Sequence, residues 1–136
     1  MSLTFSETPS RIVIPTRVSL AAYADVLLSA KSEINLAAGA NDLGLAAVPA
    51  GKVHVYTNIA ITYFGTVATV VLTAQIVDGV STYTLFMQNP PVTGVSYDRQ
   101  GTWVLEAGQH LNLHITGATA GDDAYLEAAG FVVDLT

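Results

Sequence analysis

The stretch from Lys52 to Phe64, KVHVYTNIAITYF, decides the fold class. It is rich in β-branched and aromatic residues and alternates with period two, the pattern of a half-buried β-strand. The face predicted to point into the core consists of Val53, Val55, Thr57, Ile59, Ile61 and Tyr63. His54 and Tyr56 lie on the opposite face. The sequence therefore predicts a long strand that packs one side against a core.

Similar patterns occur on both sides of this strand. Further strands are predicted at 26–30, 34–37, 43–48, 67–77, 81–88, 92–97, 102–106, 110–116 and 124–135. Asp78-Gly79 indicates a two-residue hairpin turn. Residues 19–31 also fit a helix, which is the one alternative to strand. Eight to ten short strands separated by turns predict an all-β domain at 21–136, a two-sheet antiparallel β-sandwich of jelly-roll type.

Two turns share one pattern. Val48-Pro49-Ala50-Gly51-Lys52 precedes the long strand, and Leu105-Glu106-Ala107-Gly108-Gln109 precedes the strand at His110. Both patterns predict a type II turn with glycine at the position that needs a positive φ. The similarity fits two related hairpin halves, and convergent turn chemistry explains it equally well.

Residues 1–20 differ from the rest and are predicted to form an extended N-terminal arm, because Pro9 and Pro15 interrupt regular pairing. A short β-segment lies between the prolines. It fits a terminal edge strand of its own sheet as well as an arm that pairs with a neighbouring subunit. The candidate partner-binding residues are Arg11, Ile12, Val13, Ile14 and Arg17.

The composition favours a protein that associates with partners. Hydrophobic residues make up 51% of the 136 residues and charged residues 12%, about half the charged fraction of an ordinary soluble domain. The net charge is −6, and the few cations are scattered, so nucleic acid is not an expected partner. No apolar run is long enough for a membrane helix. No secretion signal is visible, so synthesis in a cytoplasm is expected.

No catalytic or metal-binding pattern stands out. The spacing Pro49-x-Gly51-x-x-His54-x-x-x-Asn58 is similar to the second motif of cupins, but no histidine precedes His54 to supply the first motif. A metal site would also need His110 and His114, which the alternation places on an outward face. There are no cysteines and no nucleophile elbow. We therefore expect no cofactor, no metal and no enzymatic activity.

The acidic and aromatic residues are the other candidates for a site. Four carboxylates near turns are predicted to be solvated rather than catalytic, namely Glu106, Asp122, Asp123 and Glu127. Four aromatic side chains could form a sugar-stacking platform only if they faced the same way, namely Tyr56, Phe64, Tyr83 and Tyr97. Trp103 is predicted to belong to the core or to an interface.

Three stretches form a distinctive layout: Val-Pro-Ala-Gly-Lys-Val at 48–53, Val-Leu-Glu-Ala-Gly-Gln-His-Leu at 104–111, and an Ala-Gly-Asp-Asp loop before a Gly-Phe-Val-Val end. Together they resemble the small jelly-roll proteins of tailed bacteriophages. Several such proteins are capsid cement or decoration proteins, which often reach over neighbouring capsomers with an extended terminus. The resemblance covers about residues 45–136.

The resemblance implies a structural virion protein on the capsid surface. Its expected partners are other copies of itself and the major capsid protein, with no nucleic acid and no membrane. The alternative is a receptor- or glycan-binding jelly-roll module of a phage tail tip or fibre, which would use exposed aromatic residues and the loop at 90–100. A cupin-like metal-binding protein is the third interpretation.

Overall fold

The computed structural model describes residues 25–33 by their backbone and residues 35–135 in full. This part of the chain contains eight β-strands and no helix. The strands are β1 (Asp25–Glu33), β2 (Gly39–Gly44), β3 (Lys52–Phe64), β4 (Val71–Asp78), β5 (Ser81–Gln88), β6 (Ser96–Leu105), β7 (His110–Ala118) and β8 (Asp123–Asp134). The all-β prediction is confirmed, and β1 follows the strand rather than the helix alternative at its position.

The strands form two four-stranded sheets, with the orders β1-β8-β3-β6 and β2-β7-β4-β5. We call them sheet A and sheet B. Every pairing is antiparallel. The pairing is nested, because β1 pairs with β8, β2 with β7, β3 with β6 and β4 with β5. The two-sheet antiparallel sandwich is thus confirmed.

The core fills the space between the sheets. Leu111, Leu113 and Ile115 of β7 are fully buried, as the alternation at 110–116 predicts. Leu113 pairs with Leu43 on one side and with Ala74 on the other, and all three side chains enter the core. Sheet A contributes Ile59, Ile61, Tyr63, Leu105, Ala124, Leu126 and Ala128. Residues that alternate along each strand therefore supply both inner faces.

Several predicted boundaries are wrong. β3 and β5 have the predicted bounds, but β4 begins at Val71, because Val67–Val70 form a turn closed by a bond from the Val70 N–H to the Val67 carbonyl. One continuous strand, β6, replaces the two predicted at 92–97 and 102–106. The predicted strands at 34–37 and 43–48 largely fall outside β2.

The predicted faces of β3 hold for only half of the strand. The register shifts between Tyr56 and Asn58, so Thr57 is an extra residue in the ladder. A bulge of this kind exchanges the two faces of a strand beyond it. After the bulge, Ile59 points into the core as predicted. Before the bulge, Tyr56 is the residue that points into the core, and Val55 lies on the outer face. The prediction for Val53, Val55 and Thr57 is therefore wrong.

Glycines with positive φ values occupy the turns between the strands. Gly51 and Gly108 have φ values of 77° and 87°, and each turn is closed by a backbone hydrogen bond, so the two predicted type II turns are confirmed. The turns lie side by side, since Val48 exchanges two backbone hydrogen bonds with Gly108 and Gln109. The β4–β5 hairpin differs from the prediction: its two-residue loop is Gly79-Val80, because Asp78 pairs with Ser81.

Residues 1–24, and with them the predicted arm at 1–20, lie outside the described residues. In the described part of the chain no helix is long and apolar enough to cross a membrane.

Candidate functional site

The predicted partner-binding residues cannot be placed, because all five lie outside the described residues. They are Arg11, Ile12, Val13, Ile14 and Arg17. The candidate sites that the structure describes lie within residues 35–135.

The structure separates the three histidines that a cupin-like metal site would need. His54 shares the inner face of sheet A with Leu105, its partner on β6. His110 and His114 lie on the outer face of sheet B, opposite the core residues of β7. Among residues 35–135 no group of three or more metal-ligating side chains comes together. The geometry therefore does not fit the metal site that the cupin motif implies.

Sheet B carries a polar network across three strands of its outer face. The Asn112 side-chain N–H group donates to Asp42 Oδ1 at 2.8 Å and to Gln75 Oε1 at 3.1 Å. His114 Nδ1 lies 2.8 Å from the same Asp42 oxygen. Asn112 is buried, with 4% of its surface exposed. The network satisfies a buried amide and fixes the register of β2, β7 and β4.

The same network sets the charge of the Asp42 carboxyl. Burial opposes ionisation of Asp42, but the hydrogen bonds from Asn112 and His114 together outweigh it, and the pKa of the Asp42 carboxyl lies below its ordinary value. Asp42 is therefore an anion at neutral pH and orients the His114 ring. A hydrolytic triad would need a hydroxyl on the other ring nitrogen. Within residues 35–135 the side-chain hydrogen bond of His114 is the one with Asp42. Sequence reasoning missed this pair, because 72 residues separate the two side chains.

His54 is a partly buried imidazole at one end of the sandwich. Its ring meets the Tyr56 ring edge-on, with 6.1 Å between the ring centroids. Its Nδ1 atom is buried without a hydrogen-bond partner. Burial, and then the positive charge of Lys52, lower the pKa of His54 from its ordinary value of 6.5. The neutral ring is therefore the form that the fold accommodates.

We expect acid to destabilise the fold through His54. The unfolded chain binds a proton near pH 6.5, whereas the folded chain resists protonation there, so stability is present above pH 6.5 and falls as the pH decreases through the lowered pKa. Urea unfolding at pH 8 and at pH 5.5 measures the loss. The loss should shrink in His54→Gln and persist in the control His110→Gln. Equal losses in the wild type and His54→Gln would contradict the prediction.

Asp122 is not the solvated turn residue that the sequence predicts. Its Oδ2 atom accepts hydrogen bonds from the Tyr63 hydroxyl at 2.8 Å and from the Thr66 N–H at 2.9 Å. The carboxylate packs directly over Gly65, where any Cβ would collide with it. Burial, and then the carboxylate of Asp122, raise the pKa of Tyr63 to about 12. Asp122 thus ties the β7–β8 loop to the end of β3.

An apolar row crosses the outer face of sheet A. The register aligns Val104, Val55 and Phe131 on neighbouring strands. Val55 and Phe131 are buried at 7% and 5% exposure but do not belong to the core between the sheets, and Val104 is 55% exposed. Sheet A is therefore apolar on both faces at this row, a property of sheets that are covered on both sides.

The four aromatic side chains that could form a platform only by facing the same way do not do so. Tyr56 is buried in the core, Tyr83 lies on β5 of sheet B, and Phe64 lies at the end of β3. Phe64 instead meets the Tyr125 ring edge-on, with 5.4 Å between the centroids. Trp103 packs against the core, as predicted.

A shallow recess opens where the β3–β6 ladder is irregular. Its volume is about 430 Å³, and its lining residues are Thr57, Asn58, Gln100 and Gly101. Asn58 and Gln100 are cross-strand partners, so their amides lie next to each other. Hydroxyl and amide groups can both donate and accept hydrogen bonds. The lining is suited to a neutral polar ligand.

These observations define an all-β protein built as an antiparallel two-sheet sandwich. No family model matches the chain, and no curated protein matches it. The chain is similar to a chain in the solved structure "Structure of infectious bursal disease virus Gt strain", with 17% identity and a TM-score of 0.32. The match covers 95% of this chain and 35% of that chain, so this chain spans about a third of its neighbour's length. A likeness at this level carries no functional argument.

Proposed function

We propose that this chain is a structural virion protein, a capsid cement or decoration protein that binds and stabilises an icosahedral phage head shell as a homo-oligomer. The observation that carries the proposal is the nested pairing of the eight strands into the sheets β1-β8-β3-β6 and β2-β7-β4-β5. We interpret this order as a jelly roll, an architecture found in viral capsid domains, lectins and cupins.

The site geometry favours the capsid role among these three. Cupin chemistry needs histidines that converge on one metal, and here His54 and His114 lie on different sheets. A lectin needs a recognition surface for sugars. Of the four aromatic residues named for stacking, Tyr56 and Tyr97 pack in or against the core, and the two others lie on different sheets. A cement protein needs a rigid body and apolar contact surface. The two-sheet sandwich with its filled core supplies the rigid body, and exposed apolar side chains such as Val104 supply contact surface.

The proposed partners are other copies of the chain and the major capsid protein, with neither nucleic acid nor a membrane involved. The proposed location is the capsid surface of the virion, after synthesis in the host cytoplasm. The proposed role is structural and non-catalytic.

Electron microscopy of the native particle tests the proposal. Particles labelled with an antibody against the chain should carry label on the head. Particles assembled without the protein should release their genome at lower temperature, and adding the purified protein back should restore the release temperature. Label on the tail, or particles equally stable without the protein, would contradict the cement role.

We expect deletion of residues 1–18 to leave the sandwich folded but to weaken attachment to the head shell. The arm offers Arg11 and Arg17, two of the chain's five Lys and Arg residues, and a short β-segment between its prolines. Pelleting with protein-free particles measures attachment, and a variant with both arginines changed to glutamate separates charge from strand pairing. Undiminished binding of the truncated chain would show that the arm is not the attachment segment.

A receptor- or glycan-binding module of a phage tail tip or fibre is the second candidate. The observation that favours it is the recess lined by Thr57, Asn58, Gln100 and Gly101, because adjacent amides and hydroxyls are groups that hydrogen-bond sugars. Binding to a glycan array tests this candidate. Asn58→Ala should abolish any signal, whereas Asn41→Ala, on the other sheet, should retain it.

A further inference from the structure

Each sheet has two terminal strands in the described part of the chain: β1 and β6 in sheet A, and β2 and β5 in sheet B. A terminal strand presents backbone N–H and C=O groups that another chain can pair with, and proteins guard such edges with charged side chains. Three of the four carry charges: β1 has Asp25, Lys31 and Glu33, β2 has Asp42, and β6 has Asp98 and Arg99. The sequence of β5, STYTLFMQ, carries none.

β5 is also the most exposed of the strands whose side chains are described. All four residues of Ser81–Thr84 are exposed. Tyr83 and Met87 are 55% and 53% exposed to solvent, and Val80, in the hairpin turn, is fully exposed. Exposed aromatic and methionine side chains are enriched at protein interfaces. Proline, the other common guard of an edge, is absent from the strand.

The shape of β5 limits where a partner can pair. The register with β4 shifts between Ala74 and Gln75, which leaves Leu85 as an extra residue in β5. A bulge bends the strand at that point. The straight stretch is Ser81–Thr84, next to the hairpin turn, and its polar and aromatic side chains suit a β-ladder.

We propose that two copies of this chain join through β5, pairing their Ser81–Thr84 stretches antiparallel about a two-fold axis. A two-fold contact sets each residue of the edge against the same edge of the other copy. A charged edge would therefore oppose its own charges, and β5 is the edge without any. The inference rests on the proposed homo-oligomeric function and names the surface that its self-association uses.

Pairing of this kind would join the two B sheets into one continuous eight-stranded sheet. The order would run β2-β7-β4-β5 in one copy and then β5-β4-β7-β2 in the other. Sheet A of each copy would take no part in this contact, so its exposed side chains, such as Val104, would stay available for the head shell.

A lysine on the edge tests the proposal. Sedimentation of the wild-type chain should show a species of twice 14.2 kDa. Thr82→Lys should raise the dimer dissociation constant at least about a hundredfold, because the two-fold axis brings the like charges together. The control is Ala40→Lys, which adds the same charge to exposed Ala40 of β2 and should leave the dimer intact.

Cross-linking gives a second readout that does not depend on dissociation. The chain has no cysteine, so single cysteines at Thr82, Tyr83 and Thr84 are unique. Residues opposite each other in an antiparallel pair have Cβ atoms close enough for a disulfide. Oxidation should therefore give a covalent dimer, and its yield should be highest for the cysteine position nearest the two-fold axis. Ala40→Cys serves as the background level.

The outcomes separate the inference from the proposed function. A wild-type oligomer that Thr82→Lys leaves unchanged, with cross-linking at the Ala40→Cys level, would overturn the β5 contact and leave the homo-oligomer intact. A wild-type chain that is a monomer at all concentrations, or that forms aggregates without a defined size, would overturn both. The inference is supported if Thr82→Lys loses the dimer while Ala40→Lys keeps it, and if one cysteine position gives the highest yield of cross-linked dimer. This result supports the inference whether the protein lies on the head or the tail.

Discussion

Replacing Gly130 by alanine is expected to destabilise the protein by about 3 kcal/mol or more, because there is no room for a side chain at this position. Gly130 pairs with Tyr56 at the bulge of β3. A Cβ at Gly130 would collide with the carbonyl oxygen of Val55 and would lie 2.8 Å from the Cα atom of Tyr56. Both are backbone atoms in the middle of sheet A, so relief requires the sheet itself to move.

Chemical denaturation of the variant and the wild type measures this effect. Gly44→Ala is the matched control, since Gly44 also lies in a strand. There a Cβ would meet the ring of His110 at 3.3 Å, and a side chain can turn away. We expect the control to cost less than about 1 kcal/mol. Similar losses in both variants would show that the bulge has room for a methyl group.

Replacing Asp122 by alanine should cost about 3 kcal/mol, the second large effect. The substitution removes a charged acceptor from the Tyr63 hydroxyl and the Thr66 N–H. Tyr63 is fully buried, and a buried donor without a partner retains its full desolvation cost. Thermal and urea unfolding of the variant give the free energy of unfolding.

A double-mutant cycle with Tyr63→Phe isolates the contact, because phenylalanine lacks the hydroxyl that would be orphaned. Asp122→Ala should cost less in the Tyr63→Phe background than in the wild type. Asp123→Ala is the control from the neighbouring residue, at the start of β8. Its carboxylate accepts one exposed hydrogen bond, from the Asn35 N–H, and the loss should stay within about 1 kcal/mol. Additive costs in the cycle would mean that Tyr63 and Asp122 are not coupled.

Local pattern predicted much of the fold. The bounds of β3 and β5 and the faces of β7 follow from period-two alternation, and the type II turns follow from Gly51 and Gly108. The alternation could not reveal that Thr57 is an extra residue. A bulge is fixed by the register with β6 and β8, which is a contact between distant parts of the chain.

The candidate sites were harder to predict for the same physical reason. Asp42 and His114 meet because β2 pairs with β7, and no local motif marks either residue. Asp122 sits between a glycine and another aspartate, which indicates a solvated turn, yet the fold brings it onto Tyr63. The separation of His54 from His110 and His114 agrees with the outward position predicted for the latter two.

The nested pairing also has a consequence for biosynthesis. β8 lies between β1 and β3 in sheet A. The strand that joins β1 to β3 is therefore missing until residues 123–134 have left the ribosome. A partial chain would expose the inner face of β3 together with the unpaired edges of β1 and β3, and contacts between such distant segments form slowly. The folding of this domain is therefore expected to start only after residues 123–134 have been synthesised, and nascent chains that lack them are the form most in need of a chaperone.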